Sequence, residues 1–295
     1  MVLKGRLGLE TARIPHADRH GLLWLSRGTL FVEDGTLRFQ CAGSAELGPG
    51  DYAIPFQTVS MILLGPGTTV SHDVLRLAAR HGTGLAAVGD DGVRLYTAPP
   101  LGPDDSRLAR AHARAWADAD GARLSIARRL YAWRLGEVLP HRDIEVLRGI
   151  EGARMKETYR LLAERHGVRW QGRCYDRAVP AAADPPNQAI NHAASAVEAA
   201  AGIAVAATAA IPQLGFIHED SANAFVLDVA DLFRDRVTLP VAFQAVKLAE
   251  AEPSVPLERH VRRLAGRVFR QDRVIDAMIG RIKELFDADD RRGDA

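Results

Sequence analysis

The chain has 295 residues, longer than most single domains, so two domains or one elaborated domain is expected. Its 47% hydrophobic and 25% charged content excludes a largely disordered, fibrous or membrane-embedded class. Lys and Arg number 38 against 37 Asp and Glu, a net charge of +1 that excludes a globally polybasic nucleic-acid binder but leaves a locally basic face open.

Residues 1–98 read as a β-rich domain. The run Leu22 to Val32, the turn Glu33-Asp34-Gly35-Thr36 and the run Leu37 to Gln40 predict a hairpin, because Asp-Gly is a strong short-loop signal. Further strands are expected at Thr58 to Leu64, Gly84 to Val88 and Val93 to Thr97, the last two joined by Gly89-Asp-Asp-Gly92. Ser71 can cap a short helix from His72 to Arg80, stopped by Gly82 and Gly84. Residues 99–105, rich in Pro, Gly and Asp, predict a linker. From there the pattern is helical, over 105–135, 141–165, 187–210, 221–233, 240–250 and 257–286, with 106–286 forming a helical domain and 287–295 a frayed tail. The fold class is therefore α+β, a small N-terminal β-rich domain followed by a larger all-helical one. The Ala-rich segment 189–210 predicts a closely packed central helix, and its polar interruptions argue against a membrane span. Two cysteines, Cys41 and Cys174, are too few for a disulfide framework, and the N-terminus has no apolar signal core, so a cytoplasmic protein is expected.

Three features carry chemistry. In Arg148-Gly-Ile-Glu-Gly-Ala-Arg154, Glu151 falls at the centre of an otherwise mostly apolar helical stripe, where it must neutralise, pair with an arginine or bind a metal. Gly149 and Gly152 flank it, and close approach by another backbone or a ligand would compensate for two glycines inside a helix. The second feature is Gly215-Phe-Ile-His218 followed by Phe225-Val-Leu-Asp-Val-Ala-Asp231. Ser221 or Asn223 can cap a helix on which Asp228 and Asp231 share one face, and His218 can fold back onto them. A hard-cation site and the wet face of an amphipathic helix are both compatible with that spacing. Together Glu151, His218, Asp228 and Asp231 make a carboxylate and imidazole set suited to Mg²⁺ or Mn²⁺. The third is a basic stripe: Arg259, Arg263, Arg267 and Arg270 share a helical face with Arg262 and Arg273 at its border, opposite Val261, Leu264 and Val268. A phosphate backbone or intramolecular ion pairs would answer that charge. No P-loop, dinucleotide fingerprint, HExxH or Gly-x-Ser-x-Gly element occurs. Trp116, Tyr131 and Trp133 read as core or interface aromatics.

The chain resembles the CRISPR-associated integrase and endonuclease Cas-one, in its type I-E branch. The resemblance spans residues 20–275 and rests on Gly65-Pro-Gly-Thr-Thr-Val-Ser-His72, Arg76-Leu-Ala-Ala, Gly92-Val-Arg-Leu-Tyr96, Leu147-Arg-Gly-Ile-Glu-Gly-Ala-Arg154, Asn187-Gln188, Gly215-Phe-Ile-His218 and Phe225 to Asp231. It implies a homodimer, two of which are bridged by a dimer of the small partner Cas-two. It also implies insertion of short foreign DNA duplexes into the CRISPR array at the leader-repeat boundary, by 3′-hydroxyl transesterification, with nuclease activity from the same site. By the same resemblance the metal ligands match Glu151, His218 and Asp231, Asp228 matches a supporting acid, and Arg76, Arg94, Arg259 and Arg262 match DNA-contacting positions. Where relatives can carry an aromatic wedge this chain has Arg27, so stacking by Arg27 or Trp24 is expected instead. Glu198 stands where many relatives have a tyrosine. The alternatives are a non-catalytic DNA-bridging scaffold and an unrelated metal-dependent phosphoesterase.

Overall fold

The computed structural model describes residues 21–44, 47–97, 106–118, 121–141, 143–174 and 183–290. Its N-terminal part holds eight strands: β1 (Leu22–Leu25), β2 (Gly28–Glu33), β3 (Thr36–Cys41), β4 (Gly50–Ile54), β5 (Met61–Leu64), β6 (Thr68–Val70), β7 (Gly84–Val88) and β8 (Leu95–Thr97), with α1 (His72–His81) between β6 and β7. They form two four-stranded sheets, one in the order β1-β5-β7-β8 and the other β4-β3-β2-β6. In the first, β1, β5 and β7 are parallel and β8 is antiparallel.

The apolar run Met61-Ile-Leu-Leu is explained by burial on both faces of the first sheet. Ile62 and Leu85 point into a core shared with Leu30, Phe39 and Val74 of the second sheet and α1. Their neighbours Met61, Leu63, Ala86 and Val88 point the other way, into the helical core. The first sheet is thus the middle layer of three.

The β2/β3 hairpin turns at Asp34 and Gly35, both with positive φ (50° and 75°), as a two-residue turn matching strand twist requires. The expected single strand from Leu22 to Val32 is instead two. At Ser26-Arg27 the chain leaves the first sheet and enters the second, with Arg27 at φ 56°. The strand expected from Thr58 begins at Met61, because Thr58 folds back in a turn, its N–H and hydroxyl both donating to Pro55 O. Likewise Val93 is no strand residue, since Asp90–Gly92 forms a 3₁₀ turn and β8 starts at Leu95. Ser71 precedes α1 without a side-chain capping bond.

The C-terminal part is helical: α2 (Arg107–Ala117), α3 (Ala122–Leu135), α4 (Ile144–Arg165), α5 (Pro185–Thr208), α6 (Ala224–Asp231), α7 (Leu239–Ala251), α8 (Leu257–Gln271) and α9 (Val274–Asp290). The helix expected over 105–135 is broken because the Asp118 carboxylate takes the Gly121 and Ala122 N–H groups and so caps the start of α3. That expected over 257–286 is broken at Arg273, whose φ is 49°. Asp143 and Asp184 cap α4 and α5, the latter helped by Pro185 and Pro186 in its first turn. A π-helical turn, Arg234–Thr238, carries α6 into α7. The expected linker 99–105 lies outside the described residues. Helix α9 continues to Asp290, and 291–295 of the expected tail also lie outside them.

Helix α5 is the centre of the helical core and packs on α6, α7, α8, α9 and strands β7 and β8. Its Ala189, Ala193, Ala196, Ala200 and Ala204 are buried, which lets its neighbours approach closely. It is the one helix among the described residues long and apolar enough to cross a membrane, and most of that stretch is buried within the fold.

Candidate functional site

Three elements bring the expected ligands to one cleft of about 840 Å³. Glu151 comes from the middle of α4, Asp231 from the last turn of α6, and His218 from the loop 211–223 ahead of α6. That loop is held from two sides. On one, His112 of α2 accepts the Ile211 N–H at Nδ1 (3.2 Å) and donates from Nε2 to Leu214 O (2.7 Å), while Trp116 donates to Gly215 O (2.9 Å). His112 is buried against Phe216, Phe225 and Phe286, and burial pushes its pKa down to about 4, so it is neutral. On the other, Asp228 accepts the N–H groups of Phe216 (2.6 Å), Ile217 (3.2 Å) and His218 (3.0 Å). Gly215 makes the tight wrap possible, because a Cβ there would collide with the His218 carbonyl.

Asp228 is 1% exposed, so it belongs neither to a wet helix face nor directly to the cleft lining. It also receives the His218 Nδ1–H at 2.8 Å, which directs Nε2 towards Asp231, 3.8 Å from its Oδ2. That hydrogen bond raises the His218 pKa against the opposing effect of burial, with further help from the Asp231 charge.

Glu151 pairs with an arginine, although not one on its own helix. Arg134, from the end of α3, donates to Glu151 Oε1 (2.6 Å) and to Asp231 Oδ2 (2.8 Å). Arg234, one turn beyond Asp231, donates to Asp231 Oδ1 (2.6 Å). Glu151 and Asp231 are only 14% and 13% exposed, so the carboxylates face each other across a guanidinium in a poorly solvated place. Among the described residues no three His, Cys, Asp or Glu side chains already converge as a metal site, because Arg134 stands between two of them. The donor set nonetheless suits a hard divalent cation: two carboxylates and an imidazole whose outer nitrogen is aimed by a buried acid. Glu198 on α5 lies within electrostatic reach, and loss of solvent together with the Asp231 charge raises its pKa.

The rest of the cleft wall was not legible in the sequence. Arg148, Lys156, Arg160, Arg173, Tyr159 and Trp170 line it, with Trp170 stacked on Tyr159 at 5.3 Å. Only the position of Arg234 three residues after Asp231 could have been read as a pairing signal. Tyr131 is buried as expected while also reaching the cleft, and Trp116 and Trp133 pack as expected, Trp133 between the Arg129 and Arg281 guanidiniums. Gly152 reaches the cleft, but nothing lies within 4 Å of where a Cβ on Gly149 or Gly152 would stand, so no other backbone approaches them.

A second concavity, about 950 Å³, lies between the β-rich part and α8. Arg27, Arg94, Arg259, Arg262, Arg263 and Arg270 line it against Asp90 and Asp91. Arg262 thus faces this groove rather than bordering it, and Arg267 lies outside. Arg94 pairs with Glu258 and Arg270 with Asp91, and the absence of a side chain at Gly266 lets α8 sit directly on Asp91. Trp24 lines the groove with its ring packed on Gly92. Arg76 is not among the lining residues; it is exposed on α1 and paired with Asp73 at 2.9 Å.

The chain belongs to the Cas1 family, here called Cas-one. Residues 132–254 match the family model described as CRISPR associated protein Cas1. CRISPR-associated endonuclease Cas1 of Geobacter sulfurreducens is 36% identical over 93% of this chain and 87% of the relative, and that of Escherichia coli is 35% identical over the same shares. A crystal structure of TtCas1 with DNA superposes with a TM-score of 0.80 at 32% identity, over 92% of this chain and 97% of that one. A casposase bound to its integration product shares the fold alone, with a TM-score of 0.64 at 15% identity.

Proposed function

We propose that the chain is a metal-dependent DNA integrase and endonuclease of CRISPR adaptation, of the type I-E branch. The observation that carries the reading is the convergence of Glu151, His218 and Asp231 on one cleft, with Asp228 fixing the imidazole. Family membership and the likeness to a DNA-bound relative support it. The arginine groove supplies a surface of the right sign for duplex DNA.

Glu151, His218 Nε2 and Asp231 would hold Mg²⁺ or Mn²⁺, which, when bound, supplies Lewis-acid polarisation of the scissile phosphate and charge neutralisation at the departing oxygen. Asp228 keeps the Nδ1 proton of His218 in place, leaving the Nε2 lone pair facing the cleft. Lys156, Arg148 and Arg173 on the wall bind and orient the phosphodiester. Strand transfer forms one P–O bond to the incoming 3′-hydroxyl and breaks the P–O bond to the 3′-oxygen of the target strand, which leaves as a new 3′-hydroxyl carrying the proton the nucleophile gave up. With water as nucleophile the same exchange is cleavage. A homodimer, with two such dimers bridged by a Cas-two dimer, would place two clefts at the two ends of one captured duplex.

Glu151→Ala, His218→Ala and Asp231→Ala should each lower half-site integration, measured with Cas-two and Mg²⁺ or Mn²⁺, by at least ~100-fold while leaving DNA binding intact. Integration retained in all three would remove the catalytic assignment and leave the DNA-bridging scaffold.

A further inference from the structure

We propose that Arg134 is the resident counter-ion of the candidate metal centre: it holds Glu151 and Asp231 facing each other before a cation arrives, and competes with that cation for them. The inference rests on the metal-centre reading above and adds to it a residue that sets the affinity of the site.

The geometry is specific. Among the described residues Arg134 is the only side chain bonded to both carboxylates, one through each terminal nitrogen, at 2.6 and 2.8 Å. It reaches them from a third helix, so α3, α4 and α6 are tied at one point. Its side chain is 8% exposed, and its Nε has no hydrogen-bond partner. A guanidinium offers five N–H donors in one planar fork. This one uses only its two ends, and spans a gap between two acids.

Asp231 has no oxygen to spare. Arg234 takes Oδ1 and Arg134 takes Oδ2, and Oδ2 is also the oxygen nearest His218 Nε2. A divalent cation held by His218 Nε2 and by Oδ2, the Asp231 oxygen nearest it, would share that oxygen with Arg134 or displace it. Two positive centres on one poorly solvated oxygen repel strongly, so the Arg134 bond to Asp231, and with it the bridge to Glu151, weakens as the cation binds. Arg134 lines the cleft, so a guanidinium released from Asp231 remains beside the space a phosphate would enter.

The test is a Mn²⁺ titration of thermal stability in the full chain without DNA, comparing wild type, Arg134→Gln and Glu151→Gln. In EDTA, R134Q should melt lower than wild type, because two poorly solvated carboxylates lose their shared cation. It should also reach half-maximal stabilisation by Mn²⁺ at a concentration at least fivefold lower than wild type. An unchanged or higher Mn²⁺ midpoint overturns the proposal, since Arg134 would then organise the ligands without competing for them. If R134Q does not fold, Arg134→Lys serves, as an ammonium lacks the fork that sets a separate terminal nitrogen on each acid. Its Mn²⁺ midpoint must move in the same direction by at least twofold, and an unmoved midpoint overturns the proposal equally. The metal-centre reading fails separately, when wild type shows no Mn²⁺ stabilisation and E151Q behaves like it, and the competition falls with it.

Discussion

His112 and Asp228 show how much of the candidate site is built by residues that are not in it. Neither lines the cleft, yet most of the side-chain hydrogen bonds onto the loop carrying His218 lead to one of them or to Trp116, Arg148 adding one to Ile217 O. Asp228 satisfies three backbone donors and the imidazole at once, which is why a carboxylate can be 1% exposed without a cationic partner of its own. His112 does the complementary task with a neutral ring that accepts one backbone N–H and donates to one carbonyl. Burial away from water holds its pKa at about 4, against the opposing hydrogen bond to Leu214 O, and protonation would also remove the acceptor that Ile211 N–H uses. The stability consequence has a definite sign. In the unfolded chain the ring takes up a proton below its ordinary value of 6.5, whereas the native protein refuses it until about pH 4. The contribution is therefore complete above pH 6.5 and is lost as pH falls from 6.5 towards 4, amounting to roughly 3 kcal/mol. Urea denaturation between pH 7 and 4 should show this slope. In His112→Gln, which can still accept and donate but does not titrate, the curve should be flatter by one proton, and an equally steep curve would contradict the assignment.

At the scale of elements, two helical glycines make opposite predictions. Gly266 on α8 has the Asp91 side chain where its Cβ would be, so Gly266→Ala must push α8 off the Asp90–Gly92 turn. The strain of overpacking, about 1–3 kcal/mol, outweighs the gain in helix propensity of about 1 kcal/mol, and the variant should be less stable. Gly152 on α4 meets nothing, so Gly152→Ala should gain up to about 1 kcal/mol in denaturant unfolding while adding a methyl group to the cleft wall beside Glu151. A stabilised G152A with slower DNA processing would mean that the glycine serves the substrate rather than the fold.

The sequence made the secondary structure legible mainly where the signal was local. The Asp34-Gly35 hairpin and the Ala-rich centre of α5 depend on neighbours in the chain, whereas the Asp143 and Asp184 caps that start α4 and α5 were not read from it. It did not reveal the switch of sheets at Arg27 or the break at Arg273, and a local signal was missed too, the Asp118 carboxylate that takes the Gly121 and Ala122 N–H groups and starts α3. The same division runs through the candidate site. Glu151, His218 and Asp231 stand out as polar residues in apolar patterns. Arg134, seventeen residues before Glu151 and on another helix, carries no such mark, since an arginine at the end of a helix is usually solvated.

At the scale of the whole molecule, near-neutrality conceals two concentrations of positive charge with different duties. The cleft combines six cationic side chains with Glu151 and Asp231, so its charge is tied to the candidate metal centre. The groove has six arginines against two aspartates, and two of those arginines are already paired, Arg94 with Glu258 and Arg270 with Asp91. These two pairs also join the β-rich part to α8, so binding of a polyanion there acts on the same contacts that hold the two parts together. In the proposed duplex-binding role Arg259, Arg262 and Arg263 would carry the phosphate-facing charge, and each lost phosphate contact reduces the slope of log K against log salt by about 0.9 for duplex DNA. The triple variant Arg259→Ala, Arg262→Ala, Arg263→Ala should therefore bind duplex DNA more weakly, with a slope shallower by about 2–3 in a salt titration. Arg76→Ala, away from the groove and paired within its own helix, should leave the slope unchanged, as should Glu151→Ala in the absence of divalent metal. A triple variant with the wild-type slope would place the duplex elsewhere on the molecule, and Arg76 on α1 would then be the next position to probe.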